Sequence, residues 1–395
     1  MTSVPLIMLL LIGYAVYMFD NNEKRFPIPV ILLLVGIGLY FMPFFQTIEL
    51  TETLIYHVFL PGLLFASAYQ FSTSALKKNA RVIFTLSTLG LLLTAVLLGA
   101  GIYYIGNFWF DISFIEAMVV SAVLTPTDPV SVVAILKQST DDESIANIVE
   151  GESLINDGTS IVLFTVLAEM YISKNTFQIG SFTWEFLYVS IGGAVTGLAA
   201  GWLLSRAVHA TKHRDYQVML SIIAAYGAFE AAEQMEFSGV LATVAAGIML
   251  SWQLDHFNKE DKYKEALSGF WSVIEDSFLV LLFLLIGVVA TEYLIHADWL
   301  IALFIFLLSL AVRFVTVFGS LQLFKGWRKI VDWKKAFLIS WSGIRGTMSV
   351  FLLLTLSAMV FGDTNKLLLL SFPVVCLSLV IQSVGIYPLS KWLDD

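Results

Sequence analysis

Three stretches of this 395-residue chain put polar and charged side chains among neighbours that are almost wholly apolar. The first is Leu124-Thr125-Pro126-Thr127-Asp128-Pro129-Val130-Ser131. The second is Glu150-Gly151-Glu152-Ser153-Leu154-Ile155-Asn156-Asp157-Gly158-Thr159, and the third is Ser342-Gly343-Ile344-Arg345-Gly346-Thr347. Arg313 stands in a fourth apolar run. A charge at the centre of a bilayer costs about 2.5–3.5 kcal/mol on insertion scales, so if these runs cross a membrane each retained charge needs a use.

In the first stretch, Pro126 and Pro129 remove two backbone donors and prevent regular helix around them, which frees carbonyl oxygens. Thr127 and Asp128 lie between the prolines. Free carbonyls, a hydroxyl and a carboxylate together suit a hard monovalent cation. Asp128 has a second reading, as the cap of the half-helix that follows, and the two roles are compatible. In the second stretch Ser153 and Asp157 are four apart and share a helical face, with Asn156 beside it. Glu152 sits roughly 140° round the helix from Asp157, so the two acids are expected to serve different partners. Asp157 would face the cation and a water-filled cavity, and Glu152 would face protein. Arg345 is the expected counter-ion of Glu152, because a guanidinium stays charged and bonds a carboxylate bidentately. The competing reading puts Asp157 itself in a salt bridge to Arg313 or Arg345. A carboxylate in a part-dehydrated cavity holds a proton near neutral pH or a cation, not both. Alternating access of one such group gives obligatory exchange.

The elements that must position these residues are membrane spans. The chain is 58% hydrophobic and 13% charged, about half the charged fraction of a soluble protein. Its apolar runs are about 20 residues long, the length of a spanning helix, and the short-period alternation of an outer-membrane barrel is missing. Thirteen segments are predicted, at roughly 4–20, 27–45, 53–73, 82–105, 112–136, 146–173, 184–205, 215–235, 237–254, 267–290, 298–324, 335–360 and 366–390. The first begins at Val4 with no basic residue before it, and so reads as a retained span and not a cleavable signal. The connections are short, which predicts one membrane domain over 1–395. The single cysteine, Cys376, excludes a disulfide framework and a thiolate metal site. No nucleotide-binding or nucleic-acid-binding motif occurs, and no cofactor is expected.

Of the 22 Lys and Arg residues, eighteen fall on one set of connections and ends, only Lys174 and Lys366 on the other, and Arg313 and Arg345 within spans. The positive-inside bias then predicts a cytoplasmic C-terminus and an outside N-terminus. Segments 1–6 and 8–13 start on opposite sides. This predicts two six-helix inverted repeats, about 1–175 and 212–395, with a linker helix at about 184–206. Segments 5 and 12 are equivalent in that scheme, and both are interrupted, by the Thr-Pro-Thr-Asp-Pro and Ser-Gly-Ile-Arg-Gly-Thr sequences. Such paired interruptions mark a transporter's binding site. Gly193, Gly197 and Gly201 form a small-residue stripe on segment 7 that serves either a dimer contact or packing within the subunit. Glu275 and Asp276 either line an inner funnel or sit at the interface. The five histidines read as interfacial.

At the quoted motifs the sequence resembles the monovalent cation–proton antiporter family that includes NhaP and the animal and plant sodium/proton exchangers. Weaker echoes are Leu60-Pro61-Gly62-Leu63-Leu64-Phe65, Ser238-Gly239-Val240-Leu241-Ala242 and Phe283-Leu284-Leu285-Ile286-Gly287. The resemblance implies an all-α inverted-repeat fold with a core domain and a dimerisation domain, a homodimer in the plasma membrane, and exchange of Na⁺, Li⁺ or K⁺ for H⁺. It implies Asp157 as the shared carboxylate, with Asp128, Ser153 and Thr127 nearby, and a structural Glu152–Arg345 bridge. Asn156 before Asp157 resembles the electroneutral branch, hence 1:1 exchange. Many relatives carry Glu where this chain has Ala66, followed here by Ser67 and Gln70. Gln70, Glu275 and Arg313 are accessory candidates. A long cytoplasmic tail is lacking, so tail-borne regulation is not expected. The alternatives are a cation channel or uniporter, for which no filter-like loop is seen, potassium in place of sodium as the exchanged ion, and a membrane-bound hydrolase, for which Ser153 and Asp157 lack a histidine.

Overall fold

The computed structural model describes residues 3–20, 27–46, 52–109, 111–128, 133, 136, 143–173, 179–210, 213–256, 261–323, 332–359 and 364–394. Each of the thirteen predicted segments contains helix among the described residues. In chain order they are α1 (Ser3–Asp20), α2 (Ile28–Tyr40), α3 (Leu60–Gln70, continuing a π-helical turn Ile55–Phe59), α4 (Thr73–Gly106), α5a (Phe114–Leu124) and α6 (Glu143–Ser173). There follow α7 (Ile179–Ala210), α8 (Arg214–Glu233), α9 (Gly239–His256), α10 (Asp261–Ile295) and α11 (Trp299–Gln322). Segment 12 is split into α12a (Trp333–Trp341) and α12b (Thr347–Met359), and α13 runs Thr364–Leu377, a π-helical turn Ser378–Gln382 and Ser383–Asp394.

Six described helices are long and apolar enough to cross a membrane, and five shorter apolar helices accompany them. The chain is a polytopic membrane protein. The short ones include α5a and α12b, which are short because their spans are broken. Pro126 lacks the donor needed to continue α5a, and residues 125–128 are not helical. Pro129 lies outside the described residues. Where helices end at the aqueous boundaries they are capped as in soluble proteins. Ser113 and Glu116 form a capping box on α5a, and Asp298 accepts from the Leu300 and Ile301 N–H groups at the start of α11.

Helices meet where side chains are small. A Cβ on Gly36 of α2 would lie 2.3 Å from the Leu284 carbonyl oxygen of α10, and one on Gly287 2.4 Å from that of Leu33. The stripe on α7 resolves in the same way. Cβ atoms on Gly193, Gly197 and Gly201 would meet the carbonyl oxygens of Ser238, Ala242 and Ala246 at 2.4, 2.0 and 2.8 Å, so this face packs on α9 within the subunit. The opposite face of α7, with Trp184, Ile191, Val195 and Leu203, is exposed. Ala66 is fully buried with Phe65, Tyr69 and Trp271 in a second apolar cluster between α3, α8, α9 and α10.

Candidate functional site

The two interrupted spans meet at their breaks. The Asp128 N–H donates to the Ile344 carbonyl at 2.7 Å, an isolated antiparallel pairing in the middle of the helical bundle. Two backbone groups left over by the interruptions thereby satisfy each other, which an apolar interior requires. The remaining orphan groups are met by charged side chains across the crossing. Asp128 Oδ2 accepts from the Thr347 N–H and the Thr347 hydroxyl, both at 3.1 Å. It therefore caps α12b, at the positive end of that helix. The half-helix that Asp128 is seen to cap is α12b of segment 12, whereas the sequence alone predicts the cap on the half-helix that follows Asp128 in its own segment. Arg345 does the converse. Its Nε donates to the Leu124 carbonyl at 3.0 Å and its Nη1 to the Gly343 carbonyl at 3.0 Å, the negative ends of α5a and α12a.

The glycines of Gly343-Ile344-Arg345-Gly346 are explained by close approach. A Cβ at Gly346 would fall 2.1 Å from Asp128 Oδ2, and one at Gly343 would fall 2.0 Å from Arg313 Nε. Both carboxylate and guanidinium press directly on backbone.

α6 runs past the break and clasps it. The Ser153 hydroxyl donates to the Thr127 carbonyl in a short hydrogen bond, and Asn156 Nδ2 donates to Thr127 Oγ1 at 3.3 Å. Thr127 is thus held by both of its oxygens. One turn on, Asp157 Oδ1 is buried and receives no hydrogen bond from any described residue. Asp157 lines a cavity of about 370 Å³ together with Asp128, Ser153 and Thr347. The cavity continues along α3 and α10 toward Gln70, Glu150 and Glu275. Glu275 accepts from the Ser67 hydroxyl at 3.0 Å and from Gln70 Nε2 at 2.8 Å, so Gln70 and Glu275 line this arm and hold each other. Ala66, whose position suggested a missing acid, is turned into the second cluster and does not line the cavity. At the opposite end Tyr56 stacks on Phe351 at 5.4 Å between ring centroids. The Tyr56 hydroxyl donates to Glu233 Oε1 at 2.9 Å.

The expected Glu152–Arg345 bridge does not form. Glu152 pairs with Arg313 of α11 at 3.0 Å, both side chains almost wholly buried. Arg345 is bound by oxygens without formal charge: the Leu124 and Gly343 carbonyls and Gln382 Oε1 at 3.3 Å. The helical angle between Glu152 and Asp157 had separated their partners correctly. It could not choose between two arginines on different helices. Asp157 is paired with neither.

Sequence reasoning missed Thr347, Ser378 and Gln382. Thr347 contributes through its hydroxyl and also through its backbone N–H, which no side-chain pattern reveals. Ser378 and Gln382 had a readable signal, a polar pair four apart in an apolar run, with the same spacing as Ser153 and Asp157.

This arrangement is a cavity of about 370 Å³ with a carboxylate oxygen that lacks a donor, at the crossing of two broken helices. The sequence profile described as "Sodium/hydrogen exchanger, transmembrane" matches residues 7–392. The chain is 29% identical to the Na(+)/H(+) antiporter NhaH of Halobacillus aidingensis, over 99% of this chain and 97% of that protein. It is 30% identical to the Na(+)/H(+) antiporter NhaG of Bacillus atrophaeus, over 94% of this chain and 71% of that one. Among solved structures, the sodium proton antiporter MjNhaP1 from Methanocaldococcus jannaschii has the same fold. It superposes with a TM-score of 0.79 at 20% identity, covering 99% of this chain and 98% of that one.

Proposed function

This chain belongs to the sodium/hydrogen exchanger transmembrane family, and from that premise we propose that it exchanges Na⁺ for H⁺, one for one, through competition of the two ions for Asp157. Li⁺ and K⁺ are the further substrates to expect. The observation that carries the reading is the Asp157 oxygen, buried in the cavity wall without a donor. A bare carboxylate oxygen away from bulk water is costly until a cation or a proton occupies it. Asp128, the Ser153 hydroxyl and Thr347 surround the same space and supply the other oxygens. No proton path separate from the cation path is needed.

The rest of the reading follows from the placement of charge. The basic residues favour a plasma-membrane protein with its N-terminus outside and its C-terminus in the cytoplasm. In that orientation the arm lined by Gln70, Glu150 and Glu275 opens inward, and the Tyr56–Phe351 stack closes the outer end. The two halves, 1–175 and 212–395 about the linker helix, act as inverted repeats, since each contributes one broken span to the crossing. The exposed apolar face of α7 suits lipid or the second copy of a homodimer.

The test is exchange in proteoliposomes with a preset pH difference. Added Na⁺ should dissipate it, and Asp157→Asn should abolish the response to every cation while leaving the protein folded, because the amide is isosteric. An Asp157→Asn protein that still exchanges sinks the mechanism.

A further inference from the structure

Counting formal charges among the described residues around the crossing leaves an imbalance of one. Glu152 and Arg313 cancel each other at 3.0 Å. Asp128 and Asp157 are negative, and Arg345 is positive. Among the described residues no carboxylate is paired with Arg345. What holds it is neutral: two carbonyls and the Gln382 amide oxygen, while its own N–H donates to Ser378 Oγ at 2.9 Å. Gln382 is itself pinned. Its Nε2 donates to the Trp341 carbonyl at 2.6 Å, and its carbonyl accepts from Trp341 Nε1 at 3.0 Å. Its amide oxygen also accepts from the Ser378 hydroxyl in a short bond. Ser378 and Gln382 are the first and last residues of the π-helical turn in α13, a feature frequent at functional sites. Arg345, Gln382 and Ser378 are all fully buried.

We propose that Ser378 and Gln382 are positioning residues that hold Arg345 with its charge uncancelled, so that Arg345 balances Asp128 and leaves Asp157 as the one negative charge for an ion to neutralise. Asp128 is joined by its backbone to Ile344, the neighbour of Arg345, so the two opposite charges flank a single backbone pairing. Glu150 and Glu275 lie along the arm of the cavity, partly exposed, and Glu275 is held there by Ser67 and Gln70. The consequence concerns voltage. The site is neutral with one Na⁺ and neutral with one H⁺, so neither loaded form moves charge through the membrane field. This rests on the one-for-one reading above and adds the residues that enforce it.

The experiment is Na⁺–H⁺ exchange in proteoliposomes with the potential clamped by valinomycin and K⁺, on the wild type, Arg345→Lys, Arg345→Gln and Gln382→Glu. A full charge crossing the whole field changes a rate roughly 50-fold per 100 mV, so a fifth of that leaves about a twofold change. The wild type and Arg345→Lys, which keeps the charge, should be flat. Arg345→Gln removes the balancing charge, and Gln382→Glu cancels it with a carboxylate that the guanidinium keeps ionised. Both should vary at least about twofold per 100 mV, at pH 7 and at pH 9. A variant too slow for flux is read by the charge displaced on a Na⁺ jump at a supported membrane. Flat behaviour in whichever of these two variants folds overturns the proposal. Voltage dependence of the wild-type rate also overturns the proposal, whereas a shift with voltage of the Na⁺ gradient at which net flux reverses overturns the one-for-one reading instead.

Discussion

Arg313 Nη2 lies 3.0 Å from Glu152 Oε2, tying α11 to α6 with both side chains almost wholly out of solvent. The pair sits behind the crossing, with the backbone of Gly343 pressed on the guanidinium. A second link, Thr94 Oγ1 to Thr316 Oγ1 at 2.8 Å, ties α11 to α4 one turn away. α4, α6 and α11 therefore form one scaffold around the two broken spans.

Removing one partner of a buried ion pair typically costs about 3–5 kcal/mol, because the other charge is left uncompensated. Glu152→Gln and Arg313→Gln should each lower stability by about that amount, measured as thermal unfolding in detergent. The double substitution should cost clearly less than the sum. Glu152→Gln combined with Arg345→Gln should be close to additive. Strict additivity in the first cycle and coupling in the second would restore the Glu152–Arg345 pairing.

Gly343 and Gly346 should fail differently when given a methyl group. At Gly343 the methyl strikes the Arg313 guanidinium, so Gly343→Ala should act on stability, by about the 1–3 kcal/mol usual for overpacking. At Gly346 it strikes the Asp128 carboxylate. Gly346→Ala should therefore displace a site oxygen and lower the exchange rate on the order of 100-fold, the scale of a 1 Å misplacement, at a smaller cost in folded yield. Identical ratios of stability loss to rate loss in the two variants would contradict this assignment.

Competition for one carboxylate has a defined pH signature. As pH falls, a growing share of Asp157 is protonated before Na⁺ arrives. The apparent KM for Na⁺ should rise, approaching about tenfold per pH unit at the acid end, and level off at the alkaline end. The maximal rate at saturating Na⁺ should change much less. A KM independent of pH while the maximal rate falls would point to a separate proton site.

Sidedness is tested with single cysteines. Lys77 is exposed at the start of α4, and Leu300 is 79% exposed at the start of α11. Native Cys376 is buried and gives little background. Lys77→Cys should react with an impermeant thiol reagent only from the cytoplasmic side, and Leu300→Cys only from outside. Labelling of both from one side would falsify the orientation.

The sequence by itself determined the thirteen helices, the two places where a span must break, and the short roll of polar residues kept inside apolar runs. Each is a local property. Hydropathy over about 20 residues sets a span, a missing N–H sets a break, and helical period sets which residues share a face. It also separated Glu152 from Asp157, since their directions diverge on one helix. Which faces meet was decided only by the tertiary structure. Arg313 or Arg345 was equally able to neutralise Glu152 by charge. The choice fell to Arg313 because α11 passes α6 at that level, while the break in segment 12 turns Arg345 to the carbonyl ends of α5a and α12a. The glycine stripe of α7 went to α9 for the same kind of reason, and Asp128 found its helix end in the other half of the chain. Residue type fixes what a buried group requires, and only the packing of helices distant in sequence fixes which neighbour meets that requirement.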